Sequence, residues 1–290
     1  MIQLGILLAV GCALVSNLAF FYKQRGARLA EDVCVSRPLG SAKALFGSRW
    51  FMIGMLVAVC AWLLHVGAMA FAPLATVQVV LGGGIVLVGI MASRCFGFTV
   101  SRRQWLGLVL AATGLAAFAL TVPGGGGPRS GFSQSGMIVF ETALCGLGAV
   151  LIVGPKAGAP REHHGTMLAA ATGILFGVSD VSLKALTGIA GAHGPLGVLM
   201  SPWLAVAVAA SIVAFFACAK SLQEGEAVAV IAVTSVTANL SAIAGGFLVF
   251  ADPLPSTVLG VVAQGLGVLA VVLAAAMMPS MRPATPLARA

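Results

Sequence analysis

Nine apolar stretches, at residues 2–22, 50–71, 74–92, 105–122, 136–154, 166–187, 202–219, 227–250 and 256–278, fill most of this 290-residue chain. Each holds 18 to 24 residues, close to the roughly 20 that cross a ~30 Å hydrocarbon core as a helix. A backbone inside lipid must satisfy its own N–H and C=O groups, so only helices and closed barrels span it. The short alternating segments of a barrel are absent. The expected fold class is all-α: a polytopic membrane protein with about nine transmembrane helices.

The cations say how such helices would be threaded. Of sixteen Lys and Arg, fourteen fall in alternate gaps: Lys23, Arg25, Arg28, Arg37, Lys43 and Arg49; Arg94, Arg102 and Arg103; Lys156 and Arg161; Lys220; Arg282 and Arg289. The opposite gaps hold only Arg129, and Lys184 lies within a stretch. Basic loops stay on the cytoplasmic side. The expected placement is therefore multi-pass in the bacterial plasma (inner) membrane, with the N-terminus outside and the C-terminus cytoplasmic. With 60% hydrophobic and 8% charged residues and a mean hydropathy of +1.07, an ordinary soluble domain is excluded. The net charge of +8 sits in short loops and points to anionic lipid heads of the bilayer, with no nucleic acid partner. No basic residue precedes the first stretch, so it reads as a retained helix rather than a cleaved signal. Six scattered Cys lack metal-ligand spacing and read as small core residues. The Gly-rich Pro123–Pro128 reads as a linker, lacking the Gly-Lys-Ser/Thr of a phosphate loop.

That linker lies near the middle of a repeat. Residues 61–120 lie on 214–273 without a gap, placing Val77 on Val230, Leu87 on Leu240, Gly107 on Gly260 and Gly114 on Gly267, with eleven of sixty positions identical. Gly5, Ala9, Cys12 and Ser16 align likewise with Gly173, Gly177, Asp180 and Lys184, each quartet forming one helical stripe. Five crossings separate equivalent helices, so the two units are expected in opposite orientation. The expected division is a first membrane repeat (1–122), a Gly-rich external loop with a connecting helix (123–165), a second, inverted repeat (166–278) and a cytoplasmic tail (279–290). Two inverted four-helix repeats joined by a central helix are the construction of secondary transporters, which bind substrate near the midplane and alternate access by rocking one repeat against the other.

Local motifs carry a family resemblance. Gly5-Ile-Leu-Leu-Ala-Val through Asn17 to Lys23-Gln24-Arg25-Gly26, Ala68 to Pro73 with Leu74 to Gln78, Ser101 to Gly107, Gly173 to Gly177 through Lys184, and Phe250 to Leu254 resemble the drug/metabolite transporter (DMT) superfamily. The likeness is EamA-like and nearest the NIPA-type branch, whose shorter plan fits a 23–49 segment too polar for a crossing. It implies alternating-access export of a small organic solute, with magnesium or another divalent cation as the alternative cargo. The NIPA-type branch carries a Glu and an Asn where this chain has Trp62 and His65. Phe98 and Thr99 replace its acidic-basic pair, and Asp252 keeps an acid in the second half.

Polar groups inside the stretches are the site candidates, because a charge at the bilayer centre costs about 2.5–3.5 kcal/mol on insertion scales. Asp180 and Lys184, four apart, are expected to pair with each other, either as a structural ion pair or as a proton- or substrate-coupled switch. Glu141 and His65 join them as transport or coupling candidates, and Gln78, Asn17, Asn239 and Gln264 as candidates for the substrate path. Lys220, Glu224 and Glu226 read as a solvated turn rather than an inner gate. No nucleophile-base constellation, metal cluster or phosphate loop is evident, so neither an enzyme nor a cofactor or metal site is expected. The expected partners are a small-molecule substrate, the bilayer and the coupling proton, with the carrier a monomer or homodimer.

Overall fold

The computed structural model describes residues 2–34, 37–71, 80–81, 84–121, 131–154, 163–251 and 255–277. Among the described residues ten helices follow one another: α1 (Ile2–Leu29), α2 (Pro38–Gly47), α3 (Arg49–Phe71), α4 (Ile85–Cys95), α5 (Arg102–Thr121), α6 (Gln134–Val153), α7 (His164–Met200), α8 (Pro202–Glu224), α9 (Ala227–Leu248) and α10 (Val258–Met277). The described residues contain no strand. The chain is an all-α, multi-pass membrane protein. Five helices, α1, α6, α7, α8 and α9, are long and apolar enough to cross a bilayer, and a sixth crossing is reached if α2 and α3, bent by 93° at their junction, are counted together. Among the described residues fewer than the nine crossings expected from hydropathy qualify, and α4 and α10 contribute shorter apolar helices, Val86–Cys95 and Val258–Ala274.

Local chemistry sets the helix ends. Ser101 and Gln104 form a reciprocal capping box at α5: Gln104 N donates to Ser101 Oγ at 3.2 Å and Ser101 N to Gln104 Oε1 at 2.9 Å, satisfying two donors that have no intrahelical acceptor. Ser133 caps α6 and Ser201 caps α8, where Pro202 occupies the first turn, a position that needs no N–H. In α7 the Gly194-Pro195 pair breaks the helix, with Gly194 at φ +68°, a conformation that only glycine adopts without strain.

Helix pairs pack through small residues. At Gly26 in α1 a side chain would meet the backbone of Phe51 in α3, and at Gly54 it would lie 2.7 Å from Lys23 N. Gly173 and Gly177 bring α7 onto α9 beside Thr237 and Ser241, and Gly114 brings α5 to within 2.6 Å of the Gly267 carbonyl in α10, measured from where a Cβ would stand. Between helices in lipid, such close approach supplies the van der Waals contact that drives association. Of the cysteines, only Cys12 and Cys218 are buried and Cys145 is half-buried; Cys34, Cys60 and Cys95 are exposed. That corrects the core reading, since the surface facing lipid is as apolar as the interior.

The loops that share positive charge meet at one end. Arg28 reaches Gly225, Gln104 reaches Glu226 and His164 reaches Glu224. Phe132, Trp203 and Phe250 cluster at the other end. The apolar core differs between the two. At the basic end one cluster unites Phe21, Phe51, Val88 and Leu108 with Cys218, Leu222, Val228 and Val271. At the opposite end one cluster holds only residues beyond 130, among them Met137, Phe140, Val181 and Phe250, and a separate one joins Ala9 and Ala68 with Leu8, Val80 and Leu81. Among the described residues, the cluster shared by the N-terminal and C-terminal parts lies at the basic end, and the clusters beyond it each draw on one part, although α5 and α10 stay in contact across the boundary.

Candidate functional site

The faces of α7 meet different neighbours. Gly173 and Gly177 face α9, Ser182 Oγ donates to Glu141 Oε1 on α6, and Ser179 Oγ shares a 2.9 Å hydrogen bond with Ser211 Oγ on α8. At about 100° per residue the sector between the α8 and α9 faces carries Ala169, Phe176, Asp180 and Leu183. Near the basic end this sector is sealed, with Ala169 fully buried in the shared core. Further along, Asp180 and Leu183 are exposed. The sector is thus covered at Ala169 and exposed at Asp180 and Leu183.

Asp180 and Lys184 occupy neighbouring turns but do not pair. Asp180 makes no hydrogen bond or ion pair with any described residue, whereas the Lys184 ammonium lies 4.2 Å from the centre of the Phe250 ring. Its stem carries the charge away from Asp180 to the end of α9, where a cation over an aromatic face gains about 0.5–2 kcal/mol. Glu141 is buried beside Ser182, and its second carboxylate oxygen has no hydrogen-bond partner. His65 is half-buried in the last third of α3. Along the α7–α8 groove runs a cavity of about 430 Å³ lined by Ser179, Leu183, Leu204, Val208, Ser211 and Phe215.

The path candidates do not converge on one point. Asn17 is buried and its amide donates to the Gly84 carbonyl at 3.0 Å, tying α1 to the start of α4. Asn239 donates to Ser235 O in its own helix. Gln264 is buried in α10 and its amide nitrogen has no partner. Gln78, with Asp252 and Arg129, lies outside the described residues.

The closed end contains contacts that the sequence did not announce. Arg28 Nη2 donates to Gly225 O at 2.7 Å and its Nε to Leu222 O at 3.4 Å. In return Gln223 Nε2 donates to Ala27 O at 2.9 Å and to Glu31 O at 3.0 Å, while its Oε1 accepts from Val33 N. The last carbonyls of a helix have no intrahelical donor, so α1 and α8 cap each other's C-termini across the boundary between the two parts. Around this latch, Gln104 Nε2 donates to both Glu226 oxygens at 2.9 and 3.0 Å. Glu224 accepts His164 at 2.6 Å and Lys220 at 3.1 Å. The turn read as simply solvated is therefore tied into a network. Sequence offered one hint, the Ser101-x-x-Gln104 box; Arg28, His164 and Gln223 had none, because their partners are helix ends remote in the chain.

Removing the latch should unseal this end. A hydrogen bond to a charged donor contributes about 1.5–3 kcal/mol, roughly a 10- to 100-fold change in an equilibrium. In a background where the other cysteines are serine, Cys218, buried in the shared core, is the reporter. Arg28→Gln with Gln223→Ala is expected to raise its labelling by a thiol reagent applied to the basic face at least tenfold. Unchanged labelling would mean that the apolar core alone keeps the end shut.

Comparison with known protein families, with curated proteins and with solved structures finds no significant match.

Proposed function

We propose that the chain is a secondary transporter of the drug/metabolite transporter kind, EamA-like, that moves a small organic solute across the plasma membrane by alternating access, in the direction of export and coupled to protons. On this reading nine crossings form two inverted four-helix repeats around a connecting helix, α6. The basic end is cytoplasmic, because basic loops stay on that side, and the conformation is the one open to the outside.

The observation that carries the reading is the unequal division of the core among the described residues: one cluster shared by both parts at the basic end, and separate clusters, each from one part, away from it. A carrier held in one of its two access states needs that asymmetry. The contacts agree with it. Helix α1 packs on α8 at the closed end, but the pair that the repeat makes equivalent, α7 and α3, has no comparable contact among the described residues. Two further features support the repeat. Gly114 and Gly267, equivalent in the sequence alignment, lie against each other where α5 crosses α10, as positions on a two-fold axis must. The α1–α3 and α7–α8 pairings match as well. A groove with an apolar wall and two hydroxyls suits an amphipathic organic solute, since apolar walls give affinity and a few polar groups orient the ligand.

The test is flux in proteoliposomes holding the full chain, screened over amino acids, cationic drugs and Mg²⁺ with and without a pH gradient. Saturable flux of an organic solute that the gradient accelerates is expected. Flux of Mg²⁺ alone would replace this cargo with the divalent cation.

A further inference from the structure

On the basic face, outside the transport path, α2 turns by 93° from α3 and so lies across the ends of the spanning helices. Between it, the end of α1 and the start of α3 is a cavity of about 710 Å³, with Lys43, Arg49, Trp50 and Glu31 in its wall. Its charge is unbalanced. Neither Lys43 nor Arg49 forms an ion pair with any described residue. Arg49 and Arg25 instead flank the Trp50 ring, at 5.4 and 4.1 Å from its centre, so two guanidinium groups are held in place beside the cavity with their N–H donors available. Glu31 is the one carboxylate in the wall. A planar fork of donors is suited to a phosphate, and a lysine adds a point charge.

We propose that this cavity is a binding site for the phosphate headgroup of an anionic phospholipid, seated between α1, α2 and α3 on Lys43, Arg49 and the Arg25–Trp50 stack. The placement selects a lipid over a free anion. The cavity lies where two spanning helices end, which is the level of the headgroups, and α2 exposes Leu39 (86%) and Phe46 (42%) beside it, apolar surface for an acyl chain. Amphipathic helices in this plane, with cations beside apolar residues, bind anionic membranes through both terms. Bound lipid would brace the end of α1 and the segment that follows it, where Arg28 and Val33 make the latch to α8. The site does not depend on what the protein transports.

Native mass spectrometry of the detergent-purified full chain, with phosphatidylglycerol and phosphatidylcholine in competition, tests this directly. A cation near anionic lipid contributes enough for about a fivefold preference. Lys43→Gln is therefore expected to lower the preference for phosphatidylglycerol about fivefold, and Lys43→Gln with Arg49→Gln roughly 30-fold. Arg102→Gln, on the same face but away from the cavity, should leave it unchanged. Lys43 is exposed and forms no ion pair with any described residue, so the single variant stays informative if the double one is unstable. Undiminished preference in Lys43→Gln with wild-type helicity and elution would overturn the site, as would an equal loss in Arg102→Gln. Displacement of phosphatidylglycerol by millimolar inorganic phosphate would show a free-anion site and overturn the lipid assignment.

Discussion

Asp180→Asn is expected to reduce pH-gradient-driven accumulation in proteoliposomes to the background of empty vesicles, while exchange of substrate across the same membrane persists. The side chain keeps its size but can no longer gain or lose a proton. Asp180 is the place to expect this because its sector of α7 is sealed at Ala169 and open at Asp180 and Leu183. On the proposed alternating-access cycle it would be reached from one side and covered when that side closes. An ionisable group whose surroundings change between the two access states is what links a proton gradient to the conformational cycle. Lys184→Met should have a smaller effect, since it leaves the carboxyl and removes the contact with Phe250. If both variants left every active flux unchanged, the coupling role would be abandoned.

The second large effect is on stability. Gly173→Ala would place a methyl group against Thr237 Oγ1, the Thr234 carbonyl and, at 2.8 Å, the Ala238 backbone nitrogen. Most of these atoms are backbone and cannot swing aside, so α7 and α9 would have to separate. Overpacking of this kind costs typically 1–3 kcal/mol and occasionally more, or a Tm lower by about 2–12 °C at 2–4 °C per kcal/mol. Gly146→Ala, on α6, is the control: a Cβ there meets nothing within 4 Å, and alanine is the better helix former by up to about 1 kcal/mol. Its Tm should hold or rise. Equal melting of the two variants in the same detergent would show that the α7–α9 contact tolerates separation.

Much of this was legible in the chain. The stripe Gly173, Gly177, Asp180, Lys184 was visible as a spacing, and the structure divides it by depth, into two glycines that admit α9, an exposed acid and a cation that reaches Phe250. The expected Asp180–Lys184 pair failed because an i,i+4 spacing allows a contact without requiring one, and a lysine stem is long enough to reach a ring on another helix. Glu141 could be singled out as an acid in an apolar stretch, but its partner Ser182 is 41 residues away. The Arg28–Gly225 and Gln223–Ala27 bonds join positions 197 and 196 residues apart, and their acceptors are backbone carbonyls, which carry no side-chain signature.

The sequence by itself determined that this chain lives in a membrane as helices, and which loops share an end. Both follow from terms that act residue by residue: transfer of apolar side chains out of water and retention of Lys and Arg on one side. Only the tertiary structure decided which face of each helix is inside. Leu56, Leu63 and Val150 are exposed while Ala169, Leu222 and Val230 are fully buried, and hydropathy does not separate them, because lipid and protein interior are about equally apolar. What separates them is shape: glycines that let backbones touch, and side chains that cap a distant helix end. Those contacts join the two parts at the basic end and leave Asp180 exposed further along α7.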